Sequence, residues 1–237
     1  EAFAEKLIPL LKSDRSVRAV TVFFSDLEGK LHLLDYNKEF FLDSLDNLTF
    51  DGSSIKGFTP QHESDLRLIA DWTSFRWLPS SLFGVGKVMV FGKVANQDRS
   101  SYEGDLRSRL SDLAAELRKD SSTRILAAPE IEGFLLSGTD AEQLYDEQHP
   151  FQLPTRGGYF SALPQDDLRL FIDAFAKAQL MLGFENEKDH PEVAPAQFEL
   201  NYRYTDALAA ADQIQLYKLL ARQIAKSMGY TACFLPK

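Results

Sequence analysis

Val17-Arg18-Ala19-Val20-Thr21-Val22-Phe23-Phe24, Asp26-Leu27-Glu28-Gly29-Lys30 and Leu31-His32-Leu33-Leu34-Asp35-Tyr36 follow one another near the start of the chain. A β-branched and aromatic run, a polar turn containing glycine and a second apolar run predict the two arms of a hairpin. Just before it, Phe3, Leu7, Ile8 and Leu11 recur at helical spacing and predict an opening helix packed by one face. Just after it, short strands are expected at 66–70 and 87–94. A helix followed by hairpins over this short a span predicts a small α+β domain with a mostly antiparallel sheet. Gln97-Asp98-Arg99-Ser100-Ser101 is polar and turn-prone, so the domain boundary is placed there, giving domains 1–97 and 98–237.

Beyond the boundary, Leu106, Leu110, Leu113 and Leu117 trace one helix face. Leu168, Phe171, Ile172, Phe175 and Leu182 trace another, with Gly183 as its left-handed stop, and a further helix starts near Thr205-Asp206 and carries Ile214, Tyr217, Leu220 and Ile224. Strands fit 123–136 and 197–204, so helices are expected against a second sheet. The 237 residues carry 44% hydrophobic and 12% aromatic side chains, enough for a real core, and no apolar run reaches the length of a membrane span. A formal charge of −9 repels nucleic acid and favours small ligands, metal cations or proteins as partners. The lone Cys233 excludes an internal disulfide framework, and cytoplasm is the default compartment.

The carboxylates carry the functional signal. In an extended segment Glu130 and Glu132 share a face about 7 Å apart, where two like charges repel unless a cation sits between them. By the same alternation Gln197, Glu199, Asn201 and Arg203 form a polar face, opposite the apolar Phe198, Leu200, Tyr202 and Tyr204. Glu192 and Glu199 are separated by an odd interval that puts them on opposite faces of an unbroken strand. Pro195 lies between them, and a bend or bulge there resets the phase. A carboxylate set without cysteine suits Mg²⁺ or Mn²⁺ rather than zinc. Taken alone, each of these pairs is more often the solvated side of an amphipathic strand.

Three segments in order change that reading: Phe50-Asp51-Gly52-Ser53-Ser54-Ile55-Lys56-Gly57-Phe58 with Glu63-Ser64-Asp65, Ala128-Pro129-Glu130-Ile131-Glu132-Gly133-Phe134, and the run from Glu185 through Asp189-His190-Pro191-Glu192-Val193-Ala194-Pro195-Ala196-Gln197-Phe198-Glu199 to Leu200. Together they resemble the bacterial-type glutamine synthetase family. The resemblance implies a β-grasp-like amino-terminal domain followed by the first half of a catalytic α+β domain, the rest of which would follow Lys237. It implies ATP-dependent joining of ammonia to the γ-carboxylate of glutamate through γ-glutamyl phosphate, with glutamate, ammonium and ATP as ligands. It also implies Mg²⁺ or Mn²⁺ as cofactor and a ring-shaped homo-oligomer, a dodecamer in the full-length family. Neither nucleic acid nor membrane is implied.

Carried over by position, Glu132, Glu192 and Glu199 match ligands of a first metal ion and Glu130 a ligand of a second. Glu187 matches a nucleotide contact. Tyr202 and Tyr204 fall in the stretch lining the adenine and ribose, or else belong to the core. Asp51 matches the residue that takes a proton from ammonium, with Ser54, Tyr159 and Glu192 as further ammonium contacts, and the Asp51 loop is expected to serve a neighbouring subunit's site. Ala196 and Phe198 depart from the family pattern, which has glycine and a polar residue there. Two alternatives therefore stay open: a ligase joining glutamate to a larger amine such as a polyamine or ethanolamine, and a non-catalytic relative. The residues up to Lys237 are not expected to complete the reaction alone.

Overall fold

The computed structural model describes residues 2–162 and 166–236, which divide into two compact units. The first holds 1–125 with 207–209, and the second holds 126–206 with 210–237.

In the first unit the opening helix is α1 (Ala2–Ser13), and the predicted hairpin is β1 (Ala19–Ser25) and β2 (Leu31–Asn37), with Ala19 opposite Asn37 and Ser25 opposite Leu31. A short helix α2 (Lys38–Asp43) follows directly, because the Asn37 carboxamide oxygen caps it by accepting from the Glu39 and Phe40 amides. Then come β3 (Leu48–Asp51), β4 (Asp65–Trp77), α3 (Ser80–Phe83), β5 (Lys87–Ala95) and α4 (Leu106–Ser121). The sheet order is β2-β1-β5-β4-β3, antiparallel except for the central β1–β5 pair. Strand β4 runs well past the predicted 66–70 and is bulged between Asp71 and Arg76, where the Asp71 carboxylate accepts from the Thr73 amide and hydroxyl. Leu11, Val20, Val22, Phe24, Phe41, Leu66, Leu68, Val88 and Val90 fill the core beneath the sheet. Residues 97–101 do form a turn, closed by the Ala95–Ser101 bridge. Helix α4 stays with this unit: its cap residue Asp105 accepts from the Val94 amide, and Arg107 pairs with Asp71.

The second unit contains β6 (Leu126–Ala127), β7 (Glu132–Ser137), α5 (Ala141–Leu144), α6 (Asp167–Met181), β8 (Asn186–Pro191), β9 (Gln197–Tyr202), β10 (Thr205–Asp206), most of α7 (Ala207–Ser227), and β11 (Tyr230–Cys233). Its main sheet has the order β11-β7-β9-β8, antiparallel throughout, and β10 pairs separately with β6. Helix α6 begins on the Asp166 side-chain cap and stops at Gly183, whose φ of +83° is left-handed.

One strand expectation needs correction. Residues 123–136 are not one strand: Ala128-Pro129-Glu130-Ile131 lies outside any strand, so the shared-face argument for Glu130 and Glu132 has no strand beneath Glu130. Proline has no amide hydrogen to give a ladder, which accounts for the break. At Pro195 the expected bend is present, and it is a full reversal. Residues 192–196 reverse the chain completely, so Glu192 closes one arm of a hairpin and Glu199 lies on the other.

The apolar face of β9 packs as its pattern predicts. The Phe198 ring lies 4.9 Å from that of Phe171 and 6.1 Å from those of Phe175 and Phe234. A Cβ on Gly133 would come 2.5 Å from Phe198 Cζ, so glycine is what lets β7 approach β9 here. The buried Tyr217 hydroxyl donates to the Ile131 carbonyl at 3.0 Å and accepts from the Leu200 amide at 3.3 Å, tying β9 to the segment ahead of β7. No helix among the described residues is long and apolar enough to cross a membrane.

Candidate active site

Strand pairing builds the site. Glu199 on β9 has Glu132 opposite it on β7 and His190 opposite it on β8, so three neighbouring strands present one residue each at the same level of one sheet face. Glu192 joins from the hairpin turn, which is closed by the Glu192 amide donating to the Gln197 carbonyl at 2.8 Å and the Gln197 amide donating to the Ala194 carbonyl at 3.1 Å. Ala196 holds this turn with a left-handed φ of +56°.

Ligand atoms of His190, Glu192 and Glu199 lie within 4.8 Å of one another, and all three residues are buried. The Nδ1 of His190 is 3.2 Å from the Pro191 carbonyl, which can only accept, so Nδ1 is the nitrogen that carries a proton when the ring acts as a metal ligand. That leaves the Nε2 lone pair facing Glu199 Oε2 at 3.9 Å. A divalent cation placed between an imidazole nitrogen and a carboxylate oxygen is coordinated by both. The donor set of one imidazole and two carboxylates therefore fits a metal ion. Glu132 stands beside this set, its Oε2 accepting from Gln197 Nε2 at 2.6 Å.

The loop carrying Tyr159 reaches the same place. The Phe160 amide donates to the Pro191 carbonyl at 3.2 Å, and the Tyr159 and Phe160 rings stand edge-on to His190 at 5.9 and 4.9 Å. Tyr159 is 55% exposed. Thr155, hydrogen-bonded to the α6 cap Asp166, anchors the start of that loop.

Other residues named from the sequence are placed differently. Glu130 and Glu187 are exposed and stand outside the three-residue set. Tyr202 is a core residue, 2% exposed on the Phe198 side of β9 with its ring 5.0 Å from Phe184, and burial raises its phenol far above the ordinary range. Tyr204 lies past the end of β9, exposed, with the Arg203 guanidinium over its ring at 5.9 Å. The expected polar face of β9 is sound for Gln197, Glu199 and Asn201, but Arg203 leaves the strand and pairs with Glu185. Sequence reasoning missed His190; its spacing of two from Glu192 was the available signal.

In the first unit, Asp51 and Ser54 meet. Asp51 Oδ1 accepts from the Ser53 amide at 2.9 Å and the Ser53 hydroxyl at 2.6 Å, and Oδ2 accepts from the Ser54 hydroxyl at 2.8 Å. The Ser53 and Ser54 hydroxyls hold this exposed carboxylate below the usual aspartate range. Gly52 is buried under the loop, its amide donating to the Ser64 carbonyl at 2.7 Å.

Two stretches of the chain match known families. Residues 16–97 match the model described as glutamine synthetase, beta-Grasp domain, and residues 103–237 match glutamine synthetase, catalytic domain. The chain belongs to the glutamine synthetase family. It is 34% identical over 225 residues to the glutamine synthetase of Thermotoga maritima, covering 94% of this chain and 50% of that protein. It is 33% identical over 236 residues to that of Thermus thermophilus, covering 98% and 52%. The solved glutamine synthetase of Plasmodium falciparum superposes with a TM-score of 0.83 at 20% identity, covering 98% of this chain and 50% of that one. A structure titled as a GmaS/ADP complex superposes at 0.77 and 22% identity, covering 98% and 51%. This glutamine synthetase-family chain thus spans about half the length of the relatives it matches.

Proposed function

We propose that this chain supplies the ammonium loop and one metal centre of a ligase that joins ammonia to the γ-carboxylate of glutamate with ATP. The observation that carries the reading is the convergence of His190, Glu192 and Glu199, buried and within 4.8 Å of one another. A scaffold has no use for two buried carboxylates and an imidazole aimed at one point, which argues against a non-catalytic relative.

Glutamate's γ-carboxylate is a poor electrophile and ammonium has no free lone pair, so the two do not react in neutral water. Transfer of the ATP γ-phosphoryl group to a carboxylate oxygen releases ADP and makes γ-glutamyl phosphate. Ammonia then attacks the carbonyl carbon, and phosphate leaves. A bound divalent cation would offset the negative charge gathering between carboxylate and phosphate. Glu192, Glu199 and His190 would hold it, with Glu132 beside them. The imidazole favours Mn²⁺ over Mg²⁺, which takes oxygen ligands almost alone.

Glu130 and Glu187, both exposed, are free to meet a second ion and the nucleotide. For the base of that nucleotide Tyr204 is the available aromatic, since Tyr202 is committed to the core. Asp51, kept ionised by its serine partners, attracts ammonium and takes its proton as the amine attacks, a general-base role worth ~10² to 10⁴ in rate. Ser54 and Tyr159 complete the ammonium contacts. The exposed Asp51 loop is suited to serve a neighbouring subunit in a ring-shaped homo-oligomer. Ammonia is favoured over a larger amine because Phe198, the bulkier of the two departures from the family pattern, packs against Phe171 of α6 on the apolar face of β9, away from Glu199.

Titration calorimetry with Mn²⁺ tests the reading. The wild-type chain is expected to bind one ion through this site and Glu192→Ala to lose it, and absence of binding by the wild type would sink the proposal. In a polypeptide that joins this segment to the remaining half of a relative, phosphate release should depend on ammonium; release stimulated instead by ethanolamine or a polyamine would move the acceptor to a larger amine.

A further inference from the structure

On the carboxylate face of β9, Glu199 sits between two carboxamides, Gln197 and Asn201, which are 1% and 6% exposed. Each gives its amide N–H to a carboxylate: Gln197 Nε2 to Glu132 Oε2 at 2.6 Å, and Asn201 Nδ2 to Glu199 Oε1 at 2.7 Å. Hydrogen bonds to an ionised acceptor at this length are the strong kind. Their direction is settled by chemistry, because a carboxylate only accepts and so must face the NH₂ end of the amide.

The consequence lies in which oxygen remains. Asn201 occupies Oε1 of Glu199, and the other oxygen, Oε2, is the one that faces His190 Nε2. Glu192 also has one oxygen held: its Oε2 accepts from the Val193 amide at 2.9 Å, while its Oε1 lies 3.7 Å from His190 Nδ1. Each carboxylate has one oxygen tethered by a hydrogen bond.

We infer that Asn201 is a positioning residue for the divalent-cation centre, holding Glu199 so that Oε2 alone is presented as a single-oxygen ligand. The inference rests on the metal reading proposed above. Asn201 does this as a neutral donor, which an aspartate at the same place could not, because it would bring a further negative charge and no proton to donate. Gln197 performs the parallel task for Glu132, with its Oε1 fixed by the Ala194 amide at 3.2 Å.

The test uses the full chain, with Mn²⁺ as the probe, in wild type, Asn201→Leu, Asn201→Ala and Glu192→Ala. Affinity is read by calorimetry, ligand symmetry by the Mn²⁺ electron paramagnetic resonance line shape, and folding by thermal melts. Loss of an outer partner of this kind weakens metal binding ~10- to 100-fold. Asn201→Leu, which keeps asparagine's branching in a bulkier side chain, is expected to fall in that range with an altered line shape, and Asn201→Ala serves the same comparison should the leucine variant not fold. A lowered melting temperature with unchanged affinity and line shape would show a structural role only and overturn the inference. If wild type binds and Glu192→Ala does not, the metal reading stands whichever way Asn201 falls; if wild type does not bind, both fail.

Discussion

The Asp51 loop and the β8–β9 hairpin are built by opposite means. Every hydrogen bond that holds the Asp51 carboxylate comes from Ser53 or Ser54, and the group stays in solvent. The hairpin centre is buried, and its parts are set by pairing with β7 and by the Tyr217 hydroxyl, whose partner Ile131 is 86 residues away. A local loop can be presented to a partner and still keep its geometry. A centre assembled across strands keeps its geometry only while the sheet and the helices behind it stay packed. The apolar side of β9 is therefore as much a part of the metal centre as the polar side.

The largest expected effect follows from that dependence. Phe198→Ala removes a fully buried ring from between α6 and β7 and should cost ~3–5 kcal/mol of stability in chemical denaturation, and weaken Mn²⁺ binding along with it. Full Mn²⁺ affinity in a variant so destabilised would break the link between the two faces. A smaller effect is expected in the other region. A Cβ on Gly52 would lie 2.7 Å from Leu66 Cδ1 and 2.8 Å from Thr59 Oγ1, so Gly52→Ala should cost ~1–3 kcal/mol through overpacking. It should leave Mn²⁺ binding unchanged; a loss of binding would mean that the two regions are coupled.

The smallest effect is in titration. The Ser53 and Ser54 hydroxyls lower the Asp51 pKa, so Ser53→Ala should raise it toward the ordinary aspartate value, as followed by NMR across acid pH. The sign is that of a depressed carboxylate. Its contribution is complete above the unfolded pKa and is lost as pH falls through the lower folded value, in the window below about pH 4. Full exposure makes this a change in titration with little change in stability, and a large loss of stability in Ser53→Ala would contradict the local account.

The same contrast explains what could be read from the residues alone. Asp51-Gly52-Ser53-Ser54 is legible because its hydrogen bonds span two or three positions. The β1–β2 hairpin and the helix faces of α6 and α7 are legible because period and turn chemistry are local too, whereas on α4 the traced Leu106 and Leu113 are exposed and Ser108 and Ala114 are the buried residues. Strand β8 is not, since Asn186-Glu187-Lys188-Asp189-His190 has no β-branched or aromatic residue to mark it. The reversal at 192–196 hides for a related reason: the left-handed position is occupied by Ala196, and alanine gives no turn signal where glycine would. Without the reversal there is no register, and without register His190 has no reason to meet Glu199. Glu130 misleads in the other direction, because Glu-x-Glu spacing suggests a strand that Pro129 prevents from starting before Glu132.

The central claim is that side chains from separate strands meet around one divalent cation. Anomalous diffraction at the manganese edge from crystals grown with Mn²⁺ tests it directly. The account predicts a single strong peak about 2.0–2.3 Å from His190 Nε2, an oxygen of Glu192 and Glu199 Oε2. A peak elsewhere, or none at a concentration that saturates the protein in solution, would contradict it.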